Sequence, residues 1–533
     1  MLFIIGFVIA LHIPFLSQAY HVDDWVYLTA AQKFLEKGYS SFHGFSEQMG
    51  ISVPNFYITH PLLWPWIVSV FLEIVQTLNE NYIHLLVIPF SIIAALSALS
   101  IAKRFTENYL IVTILLIVSP AFMLMSHVVM TDIPTLAFFL MSVGFFLYGI
   151  ENESTSRLIL SGFSATMAWA VSYQALFLIV LFPAYLKITG KSLNFKNLIP
   201  VFIPVFFFVL WCVDTAITFG IPHPFVSILW GEAKDVYSIG NFLPKLISNI
   251  NAIGAVVIFS LSILLVYSSQ KFYRAIILLF LPMIFLLTLL FMEGYYISHK
   301  ILFSFFLTSG IIIFIRTIIL LKKSISEKNT AHLFLAFWAL SFFTAIAAIL
   351  PLGIARYLLP GVLPLIIIFV NDIREYFPVG YKKVALSGIA STLILAILLS
   401  MADYKYANVY KQFADEIKDK FPEKNIWFSG ESGFRLYMQN KGFRYLLIND
   451  ERPVKGDIIV IPTEIWPVKL AVIKDRSILL ERIAYTSEFP FRILNQEARA
   501  GFYTHIGAML PYSISRSRFE EFSIYLVEKS AIN

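Results

Sequence analysis

Long apolar runs separated by short polar breaks fill the chain from its start to about residue 401. A bilayer-spanning helix needs about 20 mostly apolar residues. Runs of that kind occur at Met1–Tyr20, Pro61–Leu78, Tyr82–Ala102, Tyr109–Met130, Ile133–Ile150, Leu158–Leu186 and Leu198–Phe219. More follow at Ile250–Tyr267, Ala275–Phe291, Ile301–Leu321, His332–Leu350, Leu358–Val370 and Val384–Met401. Several carry Pro or polar residues and read as half-helices or re-entrant segments. The pattern predicts an α-helical polytopic membrane protein with about 11–13 transmembrane or re-entrant helices. The first run lacks a basic start and a small-residue cleavage site, so it is expected to span rather than to be cleaved. Behind Asp23 and Asp24, the positions Val26, Ala30, Phe34 and Leu35 recur at helical spacing and predict an interfacial amphipathic helix.

From about Ala402 charges become frequent and the runs shorten. Ile426–Phe428, Tyr445–Ile448 and Asp457–Ile461 read as strands, with a helix over Gly433–Asn440. The division expected is a membrane domain over 1–401, with a first outer loop at 21–60, and a small water-facing α/β domain over 402–533.

Composition agrees. Of 533 residues 58% are hydrophobic and 14% charged, against about 25% charged in soluble domains. The net charge of +6 belongs to cytoplasmic loops and implies no nucleic-acid partner. Basic loops occur at Lys187/Lys191/Lys196, Lys271/Arg274, Lys322/Lys323/Lys328 and Lys382/Lys383, with two spans between neighbours, so all four share one side, taken as cytoplasmic. The His223–Asn249 loop, the Glu293–Lys300 loop, the Pro351–Arg356 turn and everything after Met401 then face outside. Lys103 and Arg104 break the alternation; a broken helix around Pro120, or a re-entrant pair near Tyr173, would restore it. The lone Cys212 lies in an apolar run and promises neither an intrachain disulfide nor thiol chemistry.

The polar residues that interrupt this background carry the candidate chemistry. Asp23 and Asp24 follow the first apolar run with no basic partner nearby. Asp24 can be a helix cap, but an unpaired acidic pair at a membrane boundary also suits catalysis. Asp132 is a carboxylate within a long apolar stretch, which marks a functional site by default; Thr131–Asp132–Ile133–Pro134 also reads as a helix start. His60–Pro61 with Trp64 and Trp66 fits an interfacial helix entry. Tyr173 and Gln174 mark a helix–helix hydrogen bond or a hairpin turn. Arg356 sits at the outer boundary, against the positive-inside trend, and a guanidinium there suits a lipid phosphate. His299 and Lys300 could share that task. No phosphate-cradling glycine loop, HExxH, paired CxxC or EF-hand pattern is present.

In these residues the chain resembles the GT-C membrane glycosyltransferases, in the family 39-like branch of protein O-mannosyltransferases and aminoarabinose transferases. The resemblance rests on Asp23–Asp24–Trp25 after the first helix and on His60–Pro61–Leu62–Leu63, which lacks the usual second proline. It also rests on Asp132–Ile133–Pro134, Arg356–Tyr357 with Pro360, Tyr173–Gln174, and the Trp427–Gly430–Gly433–Phe434–Tyr437–Met438 pattern. Their order along the chain is more specific than any one motif. The resemblance implies inverting transfer of a sugar from a polyprenyl-phosphate donor to a hydroxyl of a protein, lipid or glycan acceptor, outside the cytoplasmic (inner) membrane. Asp23 would be the general base, with Asp24 and Asp132 orienting it or the acceptor. Like-charge repulsion from Asp24 would raise the Asp23 pKa. Arg356, Lys300 and His299 would meet the leaving lipid phosphate, and His60, Tyr173 and Gln174 would line the substrate site. No cofactor is implied, although paired acids can hold a divalent metal ion. The rival reading is a polytopic transporter or flippase of lipid-linked sugars; a lipid-A or O-antigen ligase would need larger outer loops later in the chain.

Overall fold

The computed structural model describes residues 1–48, 51–57, 60–226, 242–349, 354–448, 452–465, 476–503 and 510–529. The predicted His223–Asn249 loop and Pro351–Arg356 turn lie partly outside these residues.

The chain is a helical bundle with two polar ends. Helix α1 (Leu2–His12) runs up to a turn that ends at Asp23, and α2 (Asp24–Lys37) starts there as the interfacial helix. A short hairpin of strands Phe45–Gln48 and Ile51–Pro54 leads back towards α3 (Leu63–Val75). The apolar run Pro61–Leu78, expected to span, does not. Its helix is only 13 residues long, and both flanks lie beside the Asp23 turn. The His60 ring is 6.1 Å from that of Tyr27, and the Tyr20 hydroxyl donates to the Leu78 carbonyl at 2.8 Å. Helix α3 therefore lies along the interface.

This settles the anomaly at Lys103 and Arg104. Helices α4 (Glu80–Leu85) and α5 (Val87–Ala102) cross away from the site end, and Arg104 pairs with Glu151 at the far end. Helix α6 (Tyr109–Val118) and α7 (Pro120–Met125) return, broken where Ser119 takes an extended conformation before Pro120. Helix α8 (Asp132–Glu151) goes down again. The run Leu158–Leu186, read as one segment, is two helices, α9 (Thr155–Val171) and α10 (Leu178–Ile188), parted at the extended Ser172. Losing one crossing at α3 and gaining one here leaves all the basic loops, Lys103/Arg104 included, at the end remote from Asp23.

The remaining membrane helices are α11 (Phe195–Phe219), α12 (Phe242–Val256), α13 (Ser260–Ser268), α14 (Lys271–Phe291), α15 (Ile297–Glu327), α16 (Thr330–Ile349), α17 (Leu359–Tyr376) and α18 (Tyr381–Lys420). Among the described residues eight helices are long and apolar enough to cross a membrane, and the α12–α13 pair, bent by 88°, makes a ninth. Ser260 Oγ caps the freed Gly254 carbonyl, and Thr392 Oγ1 accepts the Phe259 N–H at 3.1 Å, so the bend leaves few backbone groups bare in the apolar interior. At the far end Arg316 Nε donates to Asp372 at 2.8 Å, as does the Tyr267 hydroxyl, tying α13, α15 and α17 together.

Helices α12 and α15 cross through glycine. A Cβ on Gly310 would lie 1.8 Å from the Ile250 carbonyl oxygen, and one on Gly254 2.0 Å from that of Phe306. Small residues allow such approach between membrane helices. Gly310→Ala must force the pair apart, and we expect it to cost about 3 kcal/mol, read as a lowered thermal midpoint in detergent.

Helix α18 continues well past Met401 and carries the strand-containing C-terminal region. There a five-stranded sheet runs in the order Arg444–Tyr445, Ile426–Phe428, Ile458–Pro462, Glu520–Val527, Ser477–Tyr485; the first three strands are parallel and the rest antiparallel. Helix α19 (Ser432–Asn440) links the first two strands in sequence, as expected. The strands at 477–485 and 520–527 were not read from the sequence. Within this region burial pushes the Glu464 carboxyl up from 4.5 to about 7 and Glu520 to about 8. The folded chain thus holds protons that the unfolded chain releases between about pH 4.5 and 8, so stability falls as pH rises through that window. The thermal midpoint is expected to drop from pH 5 to pH 8, and Glu520→Gln should flatten the slope.

Candidate active site

The site begins at the turn between α1 and α2. Val22 has φ +48°, in the left-handed region that a β-branched residue enters at a cost of about 1–3 kcal/mol and keeps only when its surroundings impose it. The next residue, Asp23, is the N-cap of α2, but its side chain makes no capping bond. It turns instead to Arg356, with Nη2 to Oδ2 at 3.4 Å, and stays 42% exposed. Crowding by protein raises the Asp23 pKa; Arg356 opposes that rise, and Asp24 adds to it as the sequence led us to expect.

Asp24 is used differently. It is fully buried. Its Oδ2 accepts the His21 N–H at 3.0 Å and its Oδ1 the Val129 N–H at 2.7 Å. Both oxygens are spent on backbone, which pins the first loop to the α7–α8 connection. The pair therefore divides: Asp23 stays open and Asp24 fastens the turn. Asp24 is neither exposed nor the N-cap.

Asp132 is the first residue of α8 and is buried; Arg356 Nη1 lies 3.4 Å from its Oδ2. Arg356 comes from the turn Ala355–Leu358 that leads into α17. Its guanidinium bridges the two carboxylates, contacts Met130 Sδ at 3.8 Å and the Tyr357 hydroxyl at 3.3 Å, and stacks 4.8 Å from the Tyr357 ring. Charge-assisted N–H···O bonds usually measure about 2.7–2.9 Å, so both ion pairs are loose, and Nε has no hydrogen-bond partner among the described residues. The N-termini of α2 and α8 converge here, and their dipoles favour negative charge. The centre can hold an anion and exchange a proton.

The other predicted residues fall at varying distances from this centre. His60 is partly exposed beside Tyr27; crowding, Arg356 and His223 push its imidazole down to about 3, leaving it neutral. Tyr173 lies at the break between α9 and α10, where its hydroxyl bonds His223 Nδ1 at 2.8 Å and accepts the Trp211 indole N–H at 2.8 Å. Both readings of Tyr173 hold: it marks the turn and makes the hydrogen bond. Gln174 follows it with a buried Oε1 that has no hydrogen-bond partner among the described residues. His299 and Lys300 were grouped with Arg356 in the sequence reading. His299 is buried at the start of α15 against Tyr295 and Tyr296, and Arg499 covers the Tyr295 ring. Among the described residues no hydrogen bond or ion pair joins His299 or Lys300 to Arg356 or the carboxylates.

Four residues behind the turn were missed. The His21 ring, through Nε2, bonds Asp403 Oδ1 on α18 at 2.8 Å, and Asp403 Oδ2 accepts from the Tyr503 hydroxyl at 2.6 Å and from Gln18 at 3.2 Å. Burial would lower the His21 imidazole, but Asp403 and Asp24 outweigh it and lift it to about 10. His21 adjoins the acidic pair and could have been suspected; Asp403 and Tyr503 lie hundreds of residues away. Among the described residues no three His, Cys, Asp or Glu side chains converge, and the Arg356 guanidinium lies between Asp23 and Asp132.

Residues 59–217 match the family described as dolichyl-phosphate-mannose-protein mannosyltransferase. That stretch carries His60, Asp132, Tyr173 and Gln174 and leaves Asp23, Asp24 and Arg356 outside. No curated protein matches the sequence. Among solved structures, the apo oligosaccharyltransferase of Archaeoglobus fulgidus has a TM-score of 0.51 at 10% identity, over 84% of this chain and 64% of that one. The chain thus spans less than two thirds of that relative. ArnT from Cupriavidus metallidurans gives 0.41 at 13% identity, over 86% and 92% of the two chains. The sequence likeness is thus to the mannosyltransferase family over 59–217, and most of the chain shares the fold of the Archaeoglobus fulgidus protein.

Proposed function

We infer that this chain is a glycosyltransferase that moves a sugar from a polyprenyl-phosphate donor to an acceptor hydroxyl, on the outer side of the cytoplasmic membrane, with inversion at the anomeric carbon. The single observation that supports this best is Arg356 held loosely between Asp23 and Asp132, with Nε unspent, where two helix N-termini meet. Asp23, the partly exposed acid of the pair, takes the proton of the acceptor hydroxyl as its oxygen attacks the anomeric carbon. The bond from that carbon to the phosphate oxygen breaks, and its electron pair stays on the phosphate. The negative charge lost at Asp23 therefore reappears on the leaving phosphate, and Arg356 lies between the two and can follow it. Asp132 keeps the guanidinium in place throughout. His60, neutral and beside Tyr27, is available to hydrogen-bond donor or acceptor. The matched family's description, naming a dolichyl-phosphate mannose and a protein acceptor, agrees with this class of donor.

The test uses the purified protein in liposomes with a panel of labelled polyprenyl-phosphate sugars and membrane acceptors. The expected result is one polyprenyl phosphate released per sugar transferred, with inverted anomeric configuration. Donor that crosses the bilayer intact, without release, would establish a transporter instead.

A further inference from the structure

The C-terminal domain grips the turn that bears Asp23 at several points. The Tyr437 hydroxyl on α19 accepts the Tyr20 N–H at 2.8 Å. Gly433 packs so closely that a Cβ there would sit 1.6 Å from the Tyr20 carbonyl oxygen. The Arg435 guanidinium lies 4.7 Å from the Trp25 ring. Deeper in, Tyr503 bonds Asp403, Asp403 bonds His21, and the His21 N–H bonds Asp24. His21 and Asp403 are fully buried, and the His21 and Tyr503 rings meet edge to face at 5.3 Å. The left-handed Val22 stands between this network and Asp23. None of these side chains bonds the Asp23 carboxylate, so their common effect is on where the backbone carries it.

We propose that the C-terminal domain aims Asp23 at the acceptor through the chain Tyr503–Asp403–His21, which makes these three positioning residues of the transfer reaction. The proposal rests on the reading of Asp23 as the base. A strained turn relaxes when one holder is removed, and Asp23 then swings off line while Arg356 and Asp132 stay as they are. The loss falls on turnover rather than on donor binding, because small misplacement of a reacting group lowers the rate steeply.

Tyr503→Phe removes one hydroxyl and keeps the ring. In the full-length enzyme, with undecaprenyl-phosphate-linked mannose as donor, kcat is expected to fall about tenfold with KM unchanged. Asp403→Glu, which keeps the carboxylate, should retain more activity than Asp403→Asn. A second readout needs no substrate. In a Cys212→Ser background, the thiol of Asp23→Cys is labelled with a membrane-impermeant methanethiosulfonate, with and without Tyr503→Phe. We expect the labelling rate to change about threefold or more at an unchanged thermal midpoint. An unchanged rate overturns the proposal, whatever the transfer result. A changed rate with unchanged kcat in an active enzyme overturns it too. If wild type transfers nothing while labelling responds, the positioning stands and the assignment of Asp23 as base falls.

Discussion

Arg356→Lys is expected to slow transfer about a hundredfold to a thousandfold and to weaken donor binding as well, seen as a raised KM alongside a lowered kcat. One preorganised donor to a developing oxyanion accounts for a loss of that size. The geometry adds a second reason. Arg356 spans Asp23 and Asp132 with separate nitrogens and holds Nε in reserve. A lysine ammonium is a point charge on a flexible stem and cannot face two carboxylates and a phosphate together. Lysine keeps the positive charge, so the carboxylates are not left unpaired and the fold should survive. Single-turnover rates with donor titration separate the two effects. A lysine variant of wild-type kcat and KM would remove Arg356 from the phosphate.

Asp23→Asn should lower kcat about a thousandfold, within the usual range for a general base, and leave KM for the donor near its wild-type value. Asparagine matches the shape of aspartate but cannot take the acceptor proton, while Arg356 keeps its contact with Asp132. The pH profile carries a further signature. The Asp23 carboxyl titrates above its ordinary value because protein crowds it. The wild-type rate should therefore rise with pH through that elevated pKa, and the rising limb should vanish in the asparagine variant. A limb that persisted would belong to another group.

What could be read in advance followed from local pattern. Apolar runs announced the helices, the helical spacing after Asp24 announced α2, and the basic loops announced which ends share a side. Local pattern failed where a distant partner decides. Pro61–Leu78 has the composition of a span, yet the bond from Tyr20 to the Leu78 carbonyl shows that its chain returns to the side it left. Leu158–Leu186 is mostly apolar, with Ser161, Ser164 and Thr166 also scattered along it, so Ser172–Gln174 did not stand out as the break between two helices. Neighbouring aspartates are equivalent on paper; the Val129 N–H, 105 residues away, separates Asp24 from Asp23. Asp403 lies just past the apolar run Val384–Met401 and carries no motif of its own. Its role depends on His21 and Tyr503, which only the folded chain brings to it.

The account turns on that division between neighbouring acids. The most direct measurement compares Asp23→Asn and Asp24→Asn at matched membrane levels, recording thermal midpoint and sugar transfer in the same preparations. The prediction is that Asp23→Asn melts with wild type and transfers almost nothing, whereas Asp24→Asn melts lower because two backbone N–H groups lose a carboxylate acceptor. An Asp23→Asn enzyme that transfers sugar at the wild-type rate would contradict the account.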